Sequence, residues 1–99
     1  MTINLKELLR TSELTSEALA DTFIEKLNKI DLFRIGNINI SFKGVTLVNL
    51  EFLTKFMKYL ITIDLQDTDD KIKITLVGIE DSQRDLLTEA LKVAKQEVR

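Results

Sequence analysis

Hydrophobic and polar residues alternate strictly from Asn37 to Lys43, which puts Ile38, Ile40 and Phe42 on one side of an extended chain. A period of two marks a strand with one face buried. The stretch Lys71-Ile72-Lys73-Ile74-Thr75-Leu76 repeats the pattern. Parallel strands covered on both faces would read as unbroken apolar runs. The alternation therefore predicts a sheet with helices against one face and a more open opposite face. That open face, or the edge of the sheet, is a candidate docking surface.

A period near 3.6 marks three helices. The first starts at Thr15 or Ser16, either of which can cap it, with Glu17 in its first turn and Leu19, Phe23, Leu27 and Ile30 as its inner stripe. The second starts after Asn49, a good cap residue, and buries Leu53, Phe56, Met57 and Leu60. The third starts at Asp81 or Ser82, with Ser82 and Asp85 as a weak form of the capping box. Its apolar stripe is Leu86, Leu87, Ala90, Leu91 and Ala94, opposite Arg84, Glu89, Lys92, Lys95 and Gln96.

Two stretches read both ways. Thr2 to Leu5 has the look of a strand, followed by an irregular or briefly helical run to Leu14. Ile61 to Leu65 is rich in β-branched residues and is either a further strand or a continuation of the second helix. Asp67 to Asp70 is the turn before the strand at 71. The resulting order is strand, helix, strand, helix, optional strand, strand, helix, which implies an α/β sheet built by right-handed crossovers.

The chain has 99 residues, no proline and only three glycines, so it contains no linker and is expected to form one domain over 1–99. Fourteen basic residues face sixteen acidic ones for a net charge of −2; the first fifty residues hold six of each. That balance offers no basic face for phosphates, so nucleic acid is not an expected partner. Lys55, Lys58, Lys71 and Lys73 read as solvated surface lysines. No apolar run approaches the ~20 residues of a membrane span, and no secretory signal is visible. The cytoplasm is the expected location.

Candidate chemistry is thin. With no histidine and no cysteine, Ser–His and Cys–His catalysis and the usual zinc sites drop out. Three separated glycines cannot assemble a Walker A or dinucleotide-binding loop. Numbered as an EF-hand from Asp67, position 5 is Lys71 and the obligatory glycine is Ile72, so the aspartate-rich turn fails as a calcium loop. Its aspartates instead discourage edge-to-edge pairing of the neighbouring strands. The aromatics sit at core-compatible positions except Phe33, which falls in a helix–strand connection and is expected to cover the end of the core. The expectation is a protein that is not an enzyme and needs no cofactor or metal.

Ser41-Phe42-Lys43-Gly44-Val45, followed by Phe52-Leu53 at the start of the second helix, resembles the STAS fold of sulphate transporters and anti-sigma-factor antagonists. More narrowly, the segment is similar to a bacterial STAS-like family of unknown function. In that family a strand ends in an acidic-Phe-x-Gly-Val pattern and a short turn leads to a Ser-Phe-Leu-like helix start. The opening Ile3 to Leu9 and Ile74 to Val77 fall in the same register. The resemblance implies a central mixed sheet of four strands, or five if 61–65 adds one, with three main helices. It also implies a regulatory module that docks on a kinase- or ATPase-like protein. In the antagonists a serine at that helix start is phosphorylated; here Asn49, Leu50 and Glu51 stand there, so the switch has no hydroxyl, although Thr46 and Thr54 are near.

The residues expected to carry docking are Asn49 as a cap, and Glu51, Lys55 and Lys58 on the exposed face of the second helix, beside the loop 44–50. Glu51 also has the ordinary role of an acidic residue in a helix's first turn. Two other functions fit the same residues. One is a small phage- or mobile-element-encoded inhibitor of a host enzyme. The other is a small-molecule or nucleotide-binding domain using the helix starts at Asn49 and Asp81, which the acidic Glu51, Asp81 and Asp85 disfavour.

Overall fold

The computed structural model describes residues 1–98. Strand β1 (Thr2–Asn4) leads into a short helix α1 (Leu5–Leu9), then β2 (Glu13–Leu14), α2 (Glu17–Asn28) and a single turn α3 (Leu32–Ile35). Strand β3 (Asn37–Ser41), β4 (Leu47–Val48), α4 (Leu50–Gln66), β5 (Lys73–Val77) and α5 (Asp81–Val98) complete the chain. Three strands form one parallel sheet in the order β1-β3-β5, and β2 pairs with β4 in a separate parallel ladder.

This overturns the expected four- or five-stranded mixed sheet. A mixed sheet needs at least one antiparallel neighbour, commonly joined by a hairpin. Here every connection between sheet neighbours carries a helix, so each strand re-enters from the same end. The β-branched run Ile61–Leu65 lies inside α4, with Leu60 and Ile63 buried and Thr62 and Leu65 turned outward. Packing of one apolar stripe overrides the strand propensity of its residues. The first strand is only three residues long, and β2 and β4, two residues each, pair with one another outside the main sheet.

The strand order advances one way, so two right-handed crossovers put α2 and α4 on the same face; α4 packs between α2 and α5. Ile3, Ile38 and Ile40 are buried on the helix side, whereas Thr2, Asn39 and Thr75 form one exposed row across the other face. The core is aromatic where α2 meets α4. Phe23 lies 5.0 Å from Phe56, ring centre to ring centre, and Phe42 and Phe52 each lie 5.8 Å from Phe56.

Local chemistry sets the helix starts. The side chains of Asn4, Ser16 and Asn49 accept from the amides of Glu7, Leu19 and Phe52, as cap residues do. At α5 the box closes differently from the expected Ser82–Asp85 pair. Gln83 Oε1 accepts from the Glu80 amide at 3.2 Å, and its Nε2 donates to the Val45 carbonyl at 3.1 Å. Gly78 (φ +71) is needed after β5, because a Cβ there would stand 2.9 Å from the Lys43 amide nitrogen. Among the described residues no helix is long and apolar enough to cross a membrane.

Candidate docking face

The turn from Gly44 to Asn49 is tied to the chain around residue 12. The amides of Thr46 and Leu47 both donate to the Ser12 carbonyl, at 2.8 and 3.3 Å, and Thr46 Oγ1 donates to the same oxygen at 3.3 Å. Asn49 makes the junction rigid from both ends of its side chain. Its Oδ1 accepts from Phe52 N–H at 3.0 Å and its Nδ2 donates to the Thr15 carbonyl at 2.7 Å. The starts of α2 and α4 are thereby fixed side by side, one capped by Ser16 and the other by Asn49.

From that junction α4 presents an outward line. Residues 51, 55, 58 and 62 recur at helical spacing, and Glu51 and Thr62 are exposed while Lys55 and Lys58 are half-buried. The three charged residues singled out from the sequence do share this face, and Asn49 is a cap as expected. Two of the charges are already engaged within the chain. Lys55 Nζ reaches Asp21 Oδ1 of α2 at 2.6 Å, and Lys58 pairs with Glu97 of α5. The hydrogen bond that Lys55 donates to Asp21, with the charge of that carboxylate, raises the Lys55 pKa from the usual lysine value. Both pairs are partly solvated, so they position the helix more than they stabilise it. Lys71 pairs with Asp69 at 3.8 Å, so three of the four lysines at 55, 58, 71 and 73 have an acidic partner.

Leu47 is the residue that sequence reasoning missed. It is 51% exposed in β4, while its neighbour Val48 is buried. Adjacent residues of an extended segment point to opposite sides, so Leu47 and Val48 could not both face the core, and the pattern already held that signal. With Leu47 at the turn and Glu51 in the first turn of α4, the face combines an apolar anchor with a charged rim. Interfaces commonly have such an anatomy. Phe33, expected to cover the core's end, is instead 47% exposed on α3.

The remaining chemistry is modest. Thr46 is exposed but its hydroxyl is committed to Ser12. The helix starts suggested as anion sites are filled by their own side chains, Asn49 at α4 and Gln83 at α5. Among the described residues no three carboxylates gather as a metal cluster. Burial raises the pKa of Tyr59, whose hydroxyl donates to Asn28 Oδ1 at 2.8 Å in the α2–α4 seam. No family model, no curated protein and no solved structure matches this chain, so the reading of the site rests on its residues and their geometry.

Proposed function

We propose that this chain is a non-catalytic protein-interaction module of regulatory type, which works in the cytoplasm and docks through the 44–50 turn and the outer line of α4. The observation that carries this reading is the exposed Leu47 on a turn held by five hydrogen bonds from Thr46, Leu47 and Asn49 to the segment 12–15. An apolar side chain on a rigid platform loses little conformational freedom on binding, which favours its use as an anchor. Glu51 is its charged neighbour, and Lys55 and Lys58 extend the rim. The resemblance of residues 38–53 to STAS-like proteins supports a kinase- or ATPase-like partner, recognised without a phosphorylated serine.

Leu47→Asp combined with Glu51→Lys tests the site without touching an internal ion pair. The wild-type chain is expected to retain a specific protein from its native cell lysate. The double variant is expected to lose it while keeping the wild-type circular dichroism spectrum. Lys92→Glu, on the outer side of α5, is expected to keep it. Retention by the double variant would remove this face as the site.

A further inference from the structure

The free edge of β5 is open, long for this sheet and lined with apolar side chains. Lys73 N–H donates to Gly36 at 2.8 Å, and the Val77 carbonyl accepts from Phe42 at 2.9 Å, so residues 73, 75 and 77 aim their amides and carbonyls at β3. The alternation of a strand then turns the N–H and C=O groups of Ile74 and Leu76 away from the sheet. The Ile72 amide also points outward, but Asp67 Oδ2 accepts from it at 2.8 Å. Behind the edge lies a cleft of about 370 Å³ between β5, α4 and α5, whose walls include Ile61, Ile72, Ile74, Leu76 and Leu91. All five of those side chains are only half-buried.

Natural sheets blunt such an edge with lysine and other charges, proline, a bulge or a covering element. The aspartates at 69 and 70 do not do so, because they lie in the turn ahead of the strand, and within β5 the one such device is the exposed Lys73 at its start, leaving Ile74 to Val77 without charge or proline.

We infer that a second copy of this chain covers the edge, its β5 antiparallel to the first about a two-fold axis through Thr75. The register follows from which residues face outward. Ile74 of one copy and Leu76 of the other then exchange both backbone hydrogen bonds, and the axis repeats the exchange, giving four bonds from groups that otherwise face water. Thr75 meets its own mate on the outer face, a favourable cross-strand pair, and Lys73 faces an uncharged Val77. The half-buried side chains of the two clefts close on one another.

The edge complements itself, with outward-facing Ile74 and Leu76 placed symmetrically about Thr75, and this favours a copy of the chain as the occupant. The accessible surface is 6265 Å², roughly 500 Å² above the ~5,800 Å² typical of a monomer of 11.4 kDa. The surplus belongs to the whole surface, which therefore has room for the ~800 Å² each partner commonly buries in a stable interface. A net charge of −2 sets little repulsion against self-association. This interface is separate from the α4 face and does not depend on its role.

Sedimentation equilibrium of the wild-type chain is expected to show a monomer–dimer equilibrium, and a monomer at every loading would overturn the proposal and leave the edge to another protein's strand. Thr75 is exposed, so charge placed there leaves the fold's interior alone. Thr75→Lys is expected to abolish the dimer through like charges at the axis, and Thr75→Glu to do the same. An equimolar mixture of the two variants is expected to restore it. A dimer that persists in either variant alone would place the interface elsewhere.

The chain has no cysteine, which permits a second, covalent readout. Residues at a non-hydrogen-bonded antiparallel pair sit about 4.5 Å apart, within disulfide range. Thr75→Cys is expected to form a disulfide-linked dimer under mild oxidation, and Asn39→Cys, on the same face one strand inward, is expected not to. Equal linking of the two variants would overturn the register. Leu47→Asp with Glu51→Lys is expected to leave the dimer intact, which separates failure of this interface from failure of the docking face.

Discussion

The two sides of α4 are packed in different ways. Toward α2 the seam is aromatic and closed: Phe23 and Phe56 are fully buried, Tyr59 meets Phe23 edge-on at 6.2 Å, and the Asp21–Lys55 pair lies along the rim. Toward α5 and β5 the contact is aliphatic. Ala90 and Ala94 let the helices approach closely and are fully buried, but Leu86, Leu87, Leu91, Ile74 and Leu76 around them remain half-exposed. The first side is a finished core. The second has apolar area beyond what one copy of the chain can cover, so stability concentrates on one flank of the helix and association capacity on the other.

The largest test of this contrast is Phe56→Ala. Phe56 touches Phe23, Phe42 and Phe52, so its loss opens a cavity at the centre of the closed side. A destabilisation of about 3–5 kcal/mol is expected in urea unfolding. Leu91→Ala, on the open side, is expected to cost about 1 kcal/mol when the chain is dilute, since a half-buried leucine forfeits only part of its transfer free energy. Equal losses would erase the distinction.

The smallest effect is in alkali. Burial raises the Tyr59 pKa above its usual 10.0, so the folded chain holds a proton that the unfolded chain releases. That contribution to stability is complete below pH 10.0 and is lost as pH climbs through the raised folded value. Lys55, also raised, acts with the same sign. Tyr59→Phe is expected to flatten the fall of the unfolding midpoint in this range. An unchanged slope would show that the hydroxyl is outside the closed seam.

Much of this asymmetry lies beyond what a local pattern can express. The alternation at 37–43, the caps Ser16 and Asn49, and the helical spacing of residues 51, 55 and 58 are all short-range features and are legible in the chain. The bond from Asn49 Nδ2 to Thr15 spans 34 residues, and the acidic partners of Lys55 and Lys58 come from two other helices. Neither has a local signature. The two-residue strands β2 and β4 span a single period of alternation, too little to mark them as a ladder. Ile61–Leu65 carries strand propensity and helical spacing together, and only the buried neighbours of Leu60 and Ile63 decide between them. The mixed sheet failed because strand direction is a property of connections, which side-chain patterning does not record.

The all-parallel pairing also governs how the chain reaches its native state. Thr2 pairs with Asn39 and Ile38 with Ile74, separations of 37 and 36 residues, and no hairpin offers a nearer nucleus. The seam from Phe23 to Phe56 spans 33. Closure entropy is therefore spent before any sheet bond or the Phe23–Phe56 contact returns it. This places folding among the slower mixed α/β domains rather than with helical bundles.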